Sequence, residues 1–197
     1  MKKILLFLVT CIPGLAGVCQ TNDFSLFEQQ RIRTTRNGML VLGGWSAANI
    51  LTGAIGANSS NRETRYFHQM NIIWGTTNLL LAGLGYWSAA REKTNDVTLT
   101  KVLLHQSKIE KTFLLNAGLD IAYVTAGLYL RERSRRNADP SKLKGYGNSV
   151  IMQGGFLFFF DAVMYTLHRQ HGKKLMDFTD KVSVVAGPAG FALNYRL

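Results

Sequence analysis

The sequence is poor in cysteine, which limits the chemistry open to the protein. Its 2 cysteines, Cys11 and Cys19, fall in a segment that begins with two lysines, continues through an apolar run and reaches small residues, the pattern of a secretory signal. Cleavage just after Cys19 or Gln20 would leave a chain without cysteine, which excludes disulfides and thiolate metal sites. A lipoprotein is disfavoured because Val18, rather than a smaller residue, precedes Cys19. An uncleaved signal that acts as a fifth anchor stays open.

Acidic residues are also few: 12 Asp and Glu stand against 23 Lys and Arg. Without Lys2 and Lys3 of the signal, the formal balance is 21 − 12 = +9. Such an excess suits anionic lipid headgroups or nucleic acid. The basic residues cluster at the ends of apolar segments and not on one polar surface with interleaved aromatics, so we predict contact with anionic headgroups and no nucleic-acid partner.

Motifs of common catalytic sites are missing. The sequence has no Gly-rich phosphate loop, no nucleophile elbow and no zinc-protease helix motif. Membrane aspartyl proteases also pair two aspartates, but they carry Tyr-Asp and Gly-x-Gly-Asp, whereas Leu119 precedes Asp120 and Phe160 precedes Asp161. We therefore predict a protein that is not an enzyme and has no cofactor.

Charge is absent from four long stretches. Residues 37–61 and 66–90 contain no Asp, Glu, Lys or Arg, and residues 112–130 and 145–168 contain one Asp each. About 20 apolar residues cross a hydrocarbon core, and backbone polar groups in lipid must be satisfied within the segment. The pattern predicts an all-α fold, a four-helix transmembrane bundle of two helical hairpins. The mean hydropathy of +0.03 is low for such a protein and leaves open a soluble bundle of very apolar helices.

Helix starts are indicated by Ser-x-x-Glu capping boxes at Ser25, Ser60 and Ser107, and by Asp139 before a proline. Each predicted helix has about 30 residues and a length of ~45 Å, longer than the bilayer core. The apolar residues 97–105 are predicted to lie along the membrane surface. The predicted helices are residues 25–57, 61–91, 107–137 and 140–172.

The C-terminal segment differs in kind from the rest. From Lys181 to Leu197 it reads as two short β runs around a Gly-Pro-Ala-Gly turn. We predict a β-like tail folded on its own bundle; the alternative is a strand offered to the sheet edge of a partner. The predicted units are a signal peptide (1–20), a membrane domain (21–174) and the tail (175–197).

Two patterns relate the first predicted hairpin to the second. Four positions of helix one recur 74 residues later, and two positions of helix two recur 79 residues later, which predicts a possible tandem repeat. Small residues also recur every four positions on helices one and three, a spacing that lets helices approach closely in lipid. The recurring positions are Leu40, Gly44, Ala48 and Gly53 with Leu114, Gly118, Ala122 and Gly127, and Gly75 and Tyr86 with Gly154 and Tyr165; the small stripes are Gly44, Ala48 and Thr52, and Gly118, Ala122 and Ala126.

Polar residues fall near mid-bilayer on all four predicted helices: Asn49, Asn78, Asp120 and Asp161, with Asn116 on the face of Asp120. A lipid-facing Asp would cost about 3 kcal/mol or more, so helix three needs an internal polar cavity or an oligomer interface. The residues predict a polar centre, in which the aspartates take up a proton, a cation or a polar solute. The alternative is interhelical hydrogen bonding that only fixes the fold.

Three histidines, His105, His168 and His171, fall at one end of the predicted bundle. His168 and His171 share a helix face, and with His105 they are a weak candidate site for a divalent metal or a haem edge. Histidines at membrane ends are more often interfacial residues. A metal or haem protein is therefore the weakest of the functional alternatives.

Several segments resemble an uncharacterised bacterial membrane-protein family, a domain of unknown function. They are the signal and the runs 36–45, 63–71, 116–120 and 153–156. The resemblance implies no activity.

We therefore predict an integral membrane protein of a diderm bacterium's envelope, a non-catalytic structural or assembly component that forms a homo-oligomer or binds an envelope protein. The inner membrane is favoured over the outer. The basic connection between helices three and four is predicted to face the cytoplasm, which places the mature N-terminus in the periplasm. The competing interpretation is a small carrier or channel that uses Asp120 and Asp161.

Overall fold

The computed structural model describes the backbone of residues 16–94, 97–187 and 190–195, and the side chains of residues 24–94 and 97–175. Four long helices make up almost all of it, and two short strands follow, which confirms the predicted all-α bundle with a β-like tail. The elements are α1 (Ala16–Gly56), α2 (Arg62–Arg91), α3 (Leu99–Ser134), α4 (Pro140–Lys181), β1 (Val182–Gly187) and β2 (Gly190–Tyr195).

The helix starts agree with the capping predictions only in part. α4 begins at Pro140 as predicted, but the cap of α2 is Asn61, whose side chain accepts a hydrogen bond from the backbone N of Thr64 at 3.1 Å. The Ser-x-x-Glu boxes at Ser25 and Ser107 lie inside α1 and α3 and cap nothing. A capping box has the same composition inside a long helix as at its start, so the sequence pattern alone does not distinguish the two.

The prediction that residues 97–105 lie along the membrane surface is wrong. Thr98 caps α3, and the segment after it forms the first turns of that helix. Val97 and Val102 are buried against Leu175 of α4, with Phe24 of α1 packed beside them. The apolar side chains of Val97 and Val102 are therefore buried against α4 and α1 at one end of the bundle, where the hydrophobic effect favours their packing.

The four helices form two hairpins with an opening between them. α1 packs along α2, α3 packs along α4, and α2 also packs on α4. α2 and α3, by contrast, scarcely touch. β1 and β2 form an antiparallel hairpin with Val182 opposite Tyr195 and Gly187 opposite Gly190. α4 runs seven residues past the predicted domain boundary at residue 174 before this hairpin begins.

Many large apolar side chains are exposed on the bundle, while several polar side chains are fully buried beside a small hydrophobic core. The largest fully buried side chains include Gln153, Asn71 and Asn78, whereas Ile55 is 81% exposed and Phe159 is 69% exposed. Apolar side chains on the outside and amides within indicate that lipid surrounds the helices. In the described part of the chain, α1 from Phe24, α3, and α4 to Leu175 are long and apolar enough to cross a membrane. α2 also has 30 residues but is more polar.

The predicted signal peptide lies mostly outside the described residues. α1 begins at Ala16, so the predicted cleavage point after Cys19 or Gln20 falls within a continuous helix. Residues 16–20 continue without a break into the rest of that helix.

The internal repeat is visible in the contacts between helices. A Cβ added at Gly53 would meet the carbonyl oxygen of His68 at 3.0 Å, and one at Gly127 would meet that of Gly147 at 2.8 Å. The second pair lies 74 and 79 residues after the first, the two offsets of the sequence pattern. Gly75 approaches the Ser46 carbonyl in the same way as Gly154 approaches the Asp120 carbonyl, at 2.9 and 3.1 Å.

The small-residue stripes do not pack the bundle. A Cβ at Gly44 or at Gly118 would meet nothing within 4 Å, and the other stripe members are exposed as well. The close approaches are made by other glycines, such as Gly53 and Gly127, which lie nine residues after Gly44 and Gly118. The spacing of the small residues predicted which face of α1 and of α3 approaches a neighbouring helix. In the structure, a different face of each helix contacts the other helix of its hairpin.

Candidate functional site

A cavity of about 550 Å³ lies in the opening between α2 and α3, with α1 and α4 behind it. It runs from a charged layer at one end of the bundle to aspartates near its middle. Four of the five residues predicted to form a polar centre line it: Asn78, Asn116, Asp120 and Asp161. The remaining lining residues are Arg31, Thr35, Met39, Leu42, Trp74, Thr77, Leu81, Gly85, Ser88, Ala89, Glu92, His105, Lys108, Ile109, Thr112, Phe113, Leu119, Tyr123, Leu157 and Phe160.

Two carboxyl groups meet deep in this cavity. Asp120 of α3 and Asp161 of α4 are 3% and 5% exposed, and their side chains lie within hydrogen-bonding reach of each other. Among the described residues, no basic side chain forms a salt bridge with either carboxyl. Two carboxylates this close repel, so the pair must share a proton or hold a cation. Chemically, the pair is a site for positive charge.

The amide of Asn78 is held in the same cavity without a partner. Asn78 is 2% exposed, and no described residue forms a hydrogen bond with its Nδ2 or with Oδ2 of Asp120. Buried polar atoms are nearly always paired, because an unpaired one costs about 1–3 kcal/mol. Asn78 and Asp120 both line the cavity, and these two atoms are buried within its wall.

The repeat shows that the aspartates are not required for helix contact. Ser46 and Ala82 of the first hairpin occupy the positions equivalent to Asp120 and Asp161. Both hairpins nevertheless make the same close glycine approach at this level. Ser46 needs no partner helix, since its Oγ donates to the carbonyl of Leu42 at 2.6 Å. The carboxyl pair is thus specific to the second hairpin.

The cavity lies between α3 and α2, and the internal repeat relates this interface to the one between α1 and α4, which is filled by side chains. Large side chains close the space between α1 and α4, where Trp45 stacks on Phe156 with ring centroids 3.9 Å apart. Smaller residues occupy most of the corresponding positions on α3 and α2, and all of these positions line the cavity. The equivalents are Leu119 and Thr77 for Trp45 and Phe156, Thr112 and Gly85 for Gly38 and Met164, and Ile109 and Ala89 for Thr35 and His168.

Asn49, the fifth predicted member of the polar centre, belongs to a separate network sealed between α1, α2 and α4. Gln153 is fully buried and donates to Oδ1 of Asn49 at 2.7 Å, while its own Oε1 accepts from Trp45 Nε1 at 3.0 Å. Ser149 and Asn71 extend the network with a hydrogen bond of 2.5 Å. The polar groups here are mutually satisfied, so this part of the predicted centre fits the structural alternative.

A charged layer lies across one end of the cavity. Arg31 is buried and pairs with Glu28 at 2.8 Å and with Glu92, and His105 Nδ1 lies 3.0 Å from Glu28. The oxygen and nitrogen atoms of Glu28, Glu92 and His105 come within 4.8 Å of one another, as in a metal site. The Arg31 guanidinium already contacts both carboxylates and offsets one of their two negative charges, which weakens the attraction for a cation there.

The histidines predicted as a weak metal site point to different partners. His105 joins the charged layer, His168 stacks on Phe113 at 5.5 Å, and His171 stacks on Phe27 at 3.8 Å. The group of close metal-ligating atoms in the described residues contains His105 but neither of the other two. The geometry therefore does not bring the three together.

Sequence reasoning found the aspartates and missed the residues that shape the cavity. Trp74 and Tyr123, whose rings meet edge to face at 5.0 Å, are the main bridge between α2 and α3. They are the repeat equivalents of Gln153 and Asn49. Extending the repeat offsets to every position would have shown which interface had lost its large side chains.

The chain was compared with known families, curated proteins and solved structures. A family model described as a family of unknown function (DUF6992) matches residues 41–162, a segment that contains the carboxyl pair, Asn78, Asn116 and the sealed network. No curated protein and no solved structure matches the chain. The match covers more than half of the 197 residues. The chain belongs to the DUF6992 family, a family of unknown function.

Proposed function

We propose that this protein is a non-catalytic integral membrane protein that binds a small cation or cationic solute at Asp120 and Asp161. The observation that carries the proposal is the replacement of this pair by Ser46 and Ala82 in the first hairpin, which makes the same helix contact without carboxyl groups. Charged groups within a membrane are costly and persist where they serve a function. The unpaired Nδ2 of Asn78 supports a polar occupant.

The test uses full-length protein in lipid nanodiscs and the double variant Asp120→Ser, Asp161→Ala, which copies the first hairpin. Thermal unfolding is measured with proton, alkali-metal and organic ammonium ions at constant ionic strength. We expect at least one cation to raise the melting temperature of the wild type and not that of the variant, because ligand that binds only the folded state stabilises it. Equal responses of both proteins, or no response to any cation, would refute the proposal.

A second candidate is the structural or assembly role, with a homo-oligomer or an envelope protein as the partner. The two small-residue stripes support it, because Gly44 and Gly118 face outward with open space around them. Small exposed faces in lipid allow another helix to approach closely. Crosslinking from native membranes, with Gly44→Ile and Gly118→Ile variants alongside, tests this role. Loss of a defined crosslinked partner in the variants would support it, and unchanged recovery would exclude these faces.

We further propose a bacterial envelope location, with the inner membrane of a diderm cell favoured by the helical spans and the N-terminal end outside. The basic residues in the last turn of α3 and just after it, such as Arg131 and Arg135, support this orientation. Basic residues are at least as numerous at the opposite end, for example Arg33, Lys108 and Lys111. Charge alone therefore does not fix the orientation, and membrane fractionation with labelling from each side is needed.

A further inference from the structure

The walls of the cavity have the composition of a site for an organic molecule. Trp74, Phe113, Tyr123 and Phe160 supply aromatic surface close to the carboxyl pair, and leucines and a methionine fill the space between them. At this depth the cavity offers two carboxyls and two amides, and aromatic faces favour an ammonium group attached to an apolar body.

The cavity size agrees with that of a small organic ligand. Its volume of about 550 Å³ lies within the range of ~300–1,000 Å³ typical of small-molecule sites. The end with Asp120 and Asp161 is polar and buried, the middle is mainly apolar, and the other end carries the charged layer. A ligand complementary to the carboxyl end and the apolar middle has a positively charged head and an apolar tail.

The opening of the cavity faces the side of the bundle. Thr77 and Leu81 of α2 and Leu119 of α3 line the cavity and are also exposed on the outer surface, where the apolar side chains of the helices indicate lipid. The water-facing end is crossed by the ion pairs of Arg31 with Glu28 and Glu92. Access from the membrane is therefore the less obstructed route.

We infer that the cavity binds amphiphilic organic amines that come from the lipid phase between α2 and α3. The ammonium group lies between Asp120 and Asp161 and donates hydrogen bonds to their carboxyl oxygens, while the apolar body packs against Trp74 and Tyr123. The inference rests on the proposed function and specifies the ligand class of the same site. No bond is made or broken.

The first measurement is the affinity of 3-phenylpropylamine for full-length protein in nanodiscs, compared with 3-phenylpropanol and with sodium chloride against potassium chloride. We expect the amine to bind at least about tenfold more tightly than the alcohol, because only the amine carries a charge for the carboxyl pair. The double variant Asp120→Ser, Asp161→Ala is expected to bind the two compounds equally, which corrects for partition into lipid.

A second variant tests the route and leaves both aspartates in place. Thr77→Phe with Leu119→Trp transplants the stacked pair of Phe156 and Trp45 to the equivalent positions across the opening. We expect the association rate of the amine to fall at least about tenfold. The matched control, Leu80→Phe with Leu115→Trp, changes exposed positions outside the cavity and is expected to leave the rate unaltered.

The outcomes separate the ligand class from the proposed function. Stabilisation by a proton or an alkali cation alone, lost in the double aspartate variant, would overturn the amine inference and leave the proposed function standing. Unchanged amine association in the transplanted variant would overturn lateral access. If no cation of either kind distinguishes wild type from the aspartate variant, both the inference and the proposed function fail.

Discussion

At the scale of single residues, the buried polar groups fall into two classes with different partners. Gln153 and Asn49 satisfy each other inside the sealed network, whereas Asn78 and Asp120 face a cavity with unpaired atoms. Each class contains a buried asparagine, Asn49 in the first and Asn78 in the second, and hydrogen-bond satisfaction separates these two. Where every buried polar group has a hydrogen-bond partner, we expect a structural role. Where buried polar groups lack partners, we expect a binding site.

The sealed network predicts the effect of Gln153→Leu. Removing the amide leaves Oδ1 of Asn49 and Nε1 of Trp45 without their partners, so we expect the free energy of unfolding to fall by about 2 kcal/mol. The measurement is unfolding in mixed micelles of increasing denaturing detergent. Gln30→Leu, at an exposed position of α1, is the matched control and should change stability by less than about 0.5 kcal/mol. Similar losses in both variants would contradict the role of the network.

The charged layer predicts the effect of Arg31→Met. Glu28 is buried with a side-chain exposure of 3%, and without Arg31 its carboxylate keeps only His105 as a partner among the described side chains. Removing one member of a buried ion pair leaves an uncompensated charge, so we expect a loss of about 3 kcal/mol in the same unfolding measurement. Arg33→Met, at an exposed position two residues away, should have little effect. A stable Arg31→Met protein would show that the layer contributes no net stability.

At the scale of elements, the two hairpins use the same glycine contacts and different outer faces. Gly53 and Gly127 bring the helices of each hairpin together, whereas Gly44 and Gly118, which the sequence pattern favoured, face outward. Helical spacing identifies which residues share a face, but not which face a neighbouring helix occupies.

The hairpin contacts predict a contrast between Gly127→Val and Gly118→Val. The first places a side chain 2.8 Å from the carbonyl oxygen of Gly147, so the helices must separate and we expect a loss of about 2–3 kcal/mol. The second adds a side chain in open space and should be nearly neutral in the isolated protein. Unfolding of both variants, measured side by side, checks the difference. Equal tolerance would mean that α3 and α4 are not in close contact at this level.

At the scale of the whole molecule, a repeated architecture has lost its symmetry at one interface. The interface of α1 with α4 is filled by Trp45, Phe156 and Met164, and its repeat equivalent between α3 and α2 is open. Because protein interiors are close-packed, exchanging several large side chains for small ones leaves a space that lipid, water or a ligand must occupy. Asp120 and Asp161 line this open interface, so the cavity and the two carboxyl groups lie in the same part of the bundle.

The whole bundle predicts how the chain crosses the membrane. If α2 spans the bilayer beside α1, positions on either side of α2 lie on opposite faces. We expect single cysteines at Asn58 and Lys93, in a chain with Cys11→Ser and Cys19→Ser, to react with an impermeant maleimide from opposite sides of sealed vesicles. Reaction from the same side would show that α2 does not cross, in agreement with its more polar composition.

The sequence by itself determined the helical class, the approximate helix ranges, the long apolar stretches suited to a membrane and the two aspartates of the site. Each of these follows from local chemistry. A long stretch without charge can cross a membrane, the backbone in lipid must form its hydrogen bonds within a helix, and a carboxyl group at mid-bilayer raises the free energy unless it has a partner. It also contained the repeat, although single matches among 19 glycines carry little weight until the contacts agree.

Only the tertiary structure decided which polar residues meet. Asn49 and Asp120 lie at similar predicted depths, yet one is sealed with Gln153 and the other opens on a cavity, because depth along a helix does not specify rotation toward a neighbour. The burial of Val97 and Val102, the separation of His105 from His171, and the cavity itself depend on how two hairpins are arranged. That arrangement is fixed by the sum of side-chain volumes across interfaces, a long-range property that no local pattern contains.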